Sequence, residues 1–266
     1  MNRSPARLNL EHLKKQAKEL IRLYRRQAPE AYARFRQALP AAAGRSDVQI
    51  AALDLRLHDA QSCVARDLGF ASWPDLRRYV EAQLPPGKSK ADRVRRWLQL
   101  VYAADVAGTS DRANPRVAMR MLREDPGLFG DDPYLACAIG DESTIQRIAT
   151  SDPAWVNRPG GPLKLPPLVA VTHSSLLQIP EFQARLHRCA RLLLAAGADP
   201  DQHISSRWPP GSLDAPDDSN PLSALYGAAG QNHDLGLTRL LLEAGANPND
   251  NESLYHSLEG SRSEEH

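Results

Sequence analysis

The chain has 266 residues, of which 42% are hydrophobic, and its formal net charge is +1 at pH 7. This length and apolar content are ordinary for a globular protein of one large or two small domains, and they exclude disorder throughout. No stretch approaches the roughly 18 consecutive apolar residues of a membrane-spanning helix, and the first residues contain no apolar signal core. We therefore expect a cytoplasmic protein that does not insert into a membrane.

Charge divides the chain into two parts. Residues 1–96 hold 20 Lys and Arg against 10 Asp and Glu, whereas residues 97–266 hold 13 against 22, so the formal charges are +10 and −9. Such asymmetry indicates either an anionic partner at the basic end or two parts that attract each other, and we favour the second interpretation. The stretch LPPGKSK at 84–90 cannot continue a helix. We predict a basic helical domain over 1–84 and a second domain over 91–266.

Helical periodicity begins near residue 10. In LNLEHLKKQAKELIRLYRRQ the apolar residues recur at spacings of three and four, which places them on one side of a helix. Three further helices are predicted, over 30–39, up to Gly69 and from Ser72. Basic residues recur beside the apolar side of the first helix. They are Lys14, Lys18, Arg22 and Arg25.

An eleven-residue phrase occurs twice in the second half of the chain. LLLAAGADPDQ starts at Leu192, and LLLEAGANPND starts 48 residues later at Leu240. In each phrase the leucines end a helix, and a glycine, Gly197 or Gly245, supplies the left-handed backbone that stops it. A proline follows in a tight turn. Each phrase is therefore predicted to be the exit of a second helix into a turn.

Four predicted helix starts accompany these turns. They are Pro133, Pro167, Pro221 and Ser253, and at the third of them Asn220 is a good capping residue with Pro221 at the first helical position. Their separations are 34, 54 and 32 residues. Two of these values lie close to the roughly 33-residue period of a repeated unit of two helices and two turns. We attribute the long separation to insertions at 174–186 and 204–219.

These units resemble the ankyrin repeat, whose first helix begins TPLHxAAxxG and whose second helix ends in LLLxxGAxxN before a projecting turn. Residues 97–130 are similar to a degenerate first unit, and the basic N-terminal block is similar to the helical leader of a group of bacterial ankyrin proteins. The Thr and His that brace each turn in that family are absent here. The matching residues are Pro133–Ala138 with Gly140, Pro167–Val171, Arg191–Asp201, Pro221–Ala229 and Arg239–Asp250.

The resemblance implies an all-α fold. An N-terminal helical bundle would precede an ankyrin-like α-solenoid of three or four helix pairs, with two insertions and a truncated last repeat that ends in SLEGSRSEEH. Such a stack forms an elongated concave face from its projecting turns and first helices, and this face suits a partner protein. The implied function is a protein-interaction module that binds an unidentified protein as a monomer or weak oligomer.

The predicted contact residues lie in the turns and on the first helices. Trp208 lies in a Pro-containing insertion, where we expect an exposed side chain that anchors an interface. The full set is Tyr134, Asn157, Arg158, Lys164, His173, Asp201, Trp208, Tyr226, Asn249 and Asn251.

Residues with catalytic or ligating chemistry are scattered along the chain. The three cysteines lie far apart without a CxxC pair, and His187 and Cys189 have no further ligand at a metal-site spacing. We therefore expect no enzyme, no metal and no cofactor. An enzyme would need a pocket that gathers His173 or His187 with carboxylates.

The basic side of the first helix supports an alternative function. Its Lys and Arg side chains would neutralise several phosphates of a nucleic acid or an anionic surface, and such binding weakens steeply with salt. No aromatic residue is interleaved with these charges, although single-strand binding would require one. A solvated or internally paired helix face is therefore the interpretation that we favour.

Overall fold

The computed structural model describes residues 8–82, 89–110, 112–209, 216–250, 253 and 256. Helices predominate in these ranges, which confirms the prediction of a mainly helical fold. None of the helices in them is long and apolar enough to cross a membrane. The chain divides into two compact units, Met1–Pro86 and Gly87–His266.

Amphipathic helices build the first unit. Its α-helices in the described ranges are α1 (Leu10–Arg25), α2 (Pro29–Ala38), α3 (Asp47–Ala51), α4 (Leu57–Asp67) and α5 (Trp73–Ala82). The α1 helix packs against α2 and α4. It does so through the apolar side that its spacing predicts, and the buried residues are Leu13, Ala17, Leu20, Ile21 and Tyr24.

Local signals fix several ends of these helices. Gly69 has a φ of +78°, a left-handed conformation that favours glycine and prevents the helix from continuing beyond α4. The Ser72 hydroxyl accepts a hydrogen bond of 3.3 Å from the backbone nitrogen of Asp75, as a capping residue at the start of α5 should. These two predictions are confirmed.

The second unit is built from helix pairs. Its α-helices in the described ranges are α6 (Lys90–Val101), α7 (Ala104–Ala107), α8 (Pro115–Glu124), α9 (Pro133–Ile139), α10 (Glu142–Ser151), α11 (Pro167–Thr172), α12 (Pro180–Ala195), α13 (Ala224–Tyr226) and α14 (Leu235–Glu243). The contacts join α6 to α8, α9 to α10, α11 to α12, and α13 to α14. A π-helical turn, Gly227–Gln231, connects the last two.

Neighbouring pairs contact each other in a regular order. The first helices α9, α11 and α13 lie side by side, and so do the second helices α10, α12 and α14. Because α11 lies between two other first helices, every residue of its range is buried. The core of this unit therefore runs between the two layers of helices.

The glycines of the repeated phrase have the backbone conformation that the sequence predicts. Gly197 and Gly245 have φ values of +91° and +98°, which confirms the left-handed stops. The predicted starts at Pro133 and Pro167 are also the first residues of α9 and α11. Ser253 is helical, but the residues on either side of it lie outside the described ranges.

The predicted helix start at Pro221 is wrong. Pro221 lies in a strand, and α13 begins three residues later at Ala224, after the capping residue Ser223. The Ser223 hydroxyl accepts a hydrogen bond of 2.9 Å from the backbone nitrogen of Tyr226. Tertiary pairing of the strand therefore overrides a local helix signal here.

The strand belongs to a two-stranded antiparallel sheet in the second insertion, a small addition to the mainly helical fold. The strands are β1 (His203–Ser206) and β2 (Asp217–Ser223), with Ile204 opposite Leu222. Both of these side chains are buried, which fixes the register of the hairpin. Pro221 is tolerated because each strand of a two-stranded sheet is an edge strand.

Candidate partner-binding surface

Side-chain amides join the turn after α10 to the turn after α12. The Asn157 Oδ1 atom accepts hydrogen bonds from the Asp199 backbone nitrogen and from Gln202 Nε2, both at 2.8 Å. The Asn157 Nδ2 atom donates to the Gly197 carbonyl at 2.9 Å. Asn157 is exposed, as predicted for a contact residue, but its polar atoms hold two turns together.

Gln202 extends this bracing into the core. Its side chain donates to the Val156 carbonyl at 2.7 Å and accepts from the Leu168 backbone nitrogen at 2.9 Å. Only 7% of the residue is exposed. The sequence did not identify Gln202 as a structural residue, because a glutamine after a turn carries no local sign of burial.

The next pair of turns is joined in a similar way. The Asp201 Oδ1 atom accepts a hydrogen bond of 2.7 Å from the Asn247 backbone nitrogen. Asp201 is exposed, and so is Asn249 in the last turn. Asn251, the last predicted contact residue, lies outside the described ranges.

Tyr134 supports the turn that contains Arg158 and Lys164. Its hydroxyl donates to the Arg158 carbonyl at 3.0 Å, and its ring is half-buried beneath the turn. Gly160 is required there, because a Cβ at that position would lie 2.2 Å from Tyr134 Cζ. Tyr134 therefore positions the turn, whose exposed side chains include those of Arg158 and Lys164.

The predicted contact residues His173 and Tyr226 are buried, with exposures of 1% and 8%. A partner on the surface cannot reach them, so this prediction is wrong. The reason is the close packing of α11 and the π-helical turn: a Cβ at Gly227 would lie 2.4 Å from the His173 ring. A first helix that lies between two others exposes little of its length.

His173 is the centre of a polar network. Its Nδ1 atom lies 2.9 Å from Gln231 Oε1, and its Nε2 atom lies 2.8 Å from the Ser223 carbonyl. Gln231 Nε2 donates to both carboxylate oxygens of Asp105 at 3.0 Å. Burial is the largest effect on the pKa of His173 and lowers it, while the Ser223 carbonyl and the Asp105 charge offset part of that effect. The network links α7, the end of α11 and the π-helical turn.

His187 has a partner that its sequence neighbours do not indicate. Its Nε2 atom lies 2.7 Å from Asp234 Oδ2, and Gln183 Nε2 donates to the same oxygen at 3.0 Å. The Asp234 Oδ1 atom caps α14 by accepting from the Leu237 backbone nitrogen at 2.9 Å. Burial raises the pKa of the Asp234 carboxyl, but the hydrogen bonds from Leu237, His187 and Gln183 outweigh burial and lower it. This pair joins α12 to α14.

The described cysteines are buried thiols. Burial raises the pKa of Cys63 to about 11 and that of Cys189 to about 12, so neither is a ready nucleophile near neutral pH. Within the described ranges no group of three or more His, Cys, Asp and Glu side chains could hold a metal ion.

Trp208 is exposed over 53% of its surface, which confirms the predicted exposure of its side chain. The residue before it, Arg207, is buried and anchors the hairpin. The Arg207 guanidinium donates to the Val106 carbonyl at 2.7 Å and to the Leu163 carbonyl at 2.6 Å. Because Leu163 precedes Lys164, this anchor places the base of the Trp208 loop beside the turn that carries Lys164.

An apolar pocket of about 330 Å³ lies against α14. Two of its leucines are among the exposed large apolar side chains of the chain, Leu235 with 83% and Leu242 with 43% exposure. Neither His173 nor His187 lines this pocket. The described lining residues are Leu225, Ala229, His233, Leu235, Thr238, Leu242, Pro248, Asn249 and Ser253.

The basic side of α1 in the first unit is partly neutralised. Lys14 pairs with Glu11 at 2.7 Å, and Arg22 Nε donates to Glu19 at 2.8 Å. Both pairs lie on the solvent side of the helix. Other cations of this side are exposed and form no ion pair with a described residue, and they are Lys15, Lys18, Arg25 and Arg26.

Comparison of the chain with protein-family models, with curated proteins and with solved structures gives no match. The candidate surface is therefore defined by its own geometry. It consists of the braced turns with Lys164, the anchored loop with Trp208, and the apolar pocket on α14.

Proposed function

We propose that the second unit is a protein-interaction module of the ankyrin type. The observation that supports this proposal is the order of helix contacts, in which first helices adjoin first helices and second helices adjoin second helices. Stacked repeats have this pattern, because each unit buries its apolar face against the next. The proposed solenoid includes α9 to α14, and its turns face the partner.

The bracing of the turns supports binding of a macromolecule. A surface that is held by hydrogen bonds before binding loses less conformational entropy when a partner docks. The bonds of Asn157, Asp201 and Tyr134 hold three turns in this way. Exposed Trp208 adds a large anchor of the kind that concentrates binding energy at protein interfaces.

Affinity capture from a native lysate tests the proposed function. We expect the immobilised full chain to retain a partner protein, and Trp208→Ala to reduce its recovery at least about tenfold, as loss of an interface anchor does. Val48→Ala is the matched control, because Val48 is 81% exposed but lies in the first unit. If no retained protein depends on Trp208 or on turn residues such as Lys164, the proposal is contradicted.

The free cations of α1 favour a second function, binding of a nucleic acid or another anionic surface. Lys18 and Arg25 are exposed without an ion pair to a described residue, so they remain able to release counterions from phosphates. Lys14 is already paired with Glu11.

Titration of fluorescent duplex DNA with the full chain at low salt tests this second function. We expect Lys18→Gln with Arg25→Gln to weaken binding more than Lys14→Gln with Arg22→Gln, because the second pair of charges is compensated by glutamates. Absence of binding at low ionic strength would rule this function out.

A further inference from the structure

The repeated phrase aligns α12 with α14 residue by residue. With the 48-residue offset, buried Cys189 corresponds to buried Leu237, and buried Leu193 corresponds to buried Leu241. The two helices therefore turn the same side toward the core. The alignment also matches His187 with Leu235.

On α12, the position of His187 is the contact point for the next helix. His187 bonds to Asp234 at the start of α14, and a Cβ at Gly236 would lie 2.9 Å from the His187 ring. The same position on α14 holds Leu235, which is 83% exposed. The side of α14 that corresponds to the helix-binding side of α12 is therefore exposed, and it carries apolar Leu235 in the place of His187.

A second leucine lies on this side of α14, with the pocket-lining Thr238 between the two. Leu242 follows Leu235 by seven residues, or about two helical turns, so both lie on one face. Leu242 is 43% exposed, whereas its counterpart Leu194 on α12 is half-buried. The pocket of about 330 Å³ lies along these leucines.

We infer that the outer side of α14 binds an amphipathic helix of the partner protein, packed on α14 as α14 packs on α12. This inference rests on the proposed function and names the class of partner. A helix with apolar residues at spacings of three, four and seven fits such a groove. In the contact between α12 and α14, His187 faces Asp234. At the proposed site Leu235 stands in the place of His187 and offers no hydrogen bond, so the bound helix carries an apolar residue in the place of Asp234.

The probe for this site is a fluorescent, end-capped peptide of residues 232–250 with Asp234→Leu. It presents the side of α14 that binds α12, with an apolar residue toward Leu235. We expect saturable binding to the full chain by fluorescence anisotropy, and weaker binding of the unsubstituted peptide. In the chain, Leu235→Asp should weaken binding at least about tenfold, because it buries a charge at the contact.

Two controls make the result decisive. Leu235 is almost fully exposed, so Leu235→Asp should leave the fold intact, as circular dichroism will check. Val48→Asp, an equally exposed aliphatic position in the first unit, should leave peptide binding unchanged.

Several outcomes would overturn the inference. They are no saturable binding, equal loss with Val48→Asp, binding only after removal of residues 257–266, and a self-associated chain that becomes monomeric with Leu235→Asp in analytical ultracentrifugation. The third would indicate that the chain itself covers the site, and the fourth that a second copy does. If a captured partner depends on Trp208 but not on Leu235, the proposed function stands and only this inference fails.

Discussion

The layer of first helices and the outer side of α14 contrast in polarity. Polar residues such as His173 and Gln202 are buried beside the first helices, where they hold neighbouring units together. The outer side of α14 instead exposes Leu235 and Leu242. The difference teaches that residue type alone misplaces a binding surface in a stack of helices: the number of neighbours that a helix has decides which side chains remain free.

The sharpest test of this contrast is within α14. Leu237 is fully buried and Leu235 is 83% exposed, although they are two residues apart. We expect Leu237→Ala to lower the free energy of unfolding by about 3 kcal/mol, because it leaves a cavity. The matched Leu235→Ala should change it by less than about 0.5 kcal/mol. Urea unfolding measures both values, and similar losses would show that Leu235 is covered.

A smaller effect is expected from the buried amide of Gln202. Gln202→Leu leaves the Leu168 nitrogen and the Val156 carbonyl without their partner. We expect a loss of about 2 kcal/mol in the free energy of unfolding, since unsatisfied buried polar groups are expensive. Gln146→Ala, at an exposed glutamine of the same unit, serves as the control in the same urea titration. An unchanged free energy of unfolding in the Gln202→Leu variant would contradict the stabilising role of the Gln202 hydrogen bonds.

The smallest effect concerns the pair that joins α12 to α14. The pKa of Asp234 is lowered in the folded protein, so its ionised form stabilises the fold at neutral pH, and this contribution is lost as the pH falls through the folded-state pKa. We expect Asp234→Asn to cost about 1 kcal/mol at pH 7 and progressively less in acid. Urea midpoints from neutral to acidic pH measure the difference between the two proteins. A difference that grows in acid would reverse the predicted sign.

Local patterns predicted the parts of the fold that depend on neighbours in sequence. The apolar side of α1, the helix starts at Pro133 and Pro167, and the glycine stops at Gly197 and Gly245 each rest on a few adjacent residues. The exposure of Trp208 also followed from its local surroundings.

Contacts between distant residues set the limit of prediction. The burial of His173 depends on Gly227, and the pairing of His187 depends on Asp234, 47 residues away. Pro221 carries a helix-start signal, but the opposite strand determines its conformation. Each of these features depends on which helices and strands contact each other in the fold. Local patterns in a single sequence do not predict those contacts.

The hydrogen bonds between turns have a mechanical consequence. Asn157 ties the turn after α12 to its predecessor by three hydrogen bonds, whereas the described ranges contain two to the last turn, between Asp201 and Asn247 and between Ser223 and Asp250. A pulling force applied along the row of turns would therefore part the weakest link first, at the C-terminal end. The helix pairs nearer the middle would stay packed against one another after the last pair has separated.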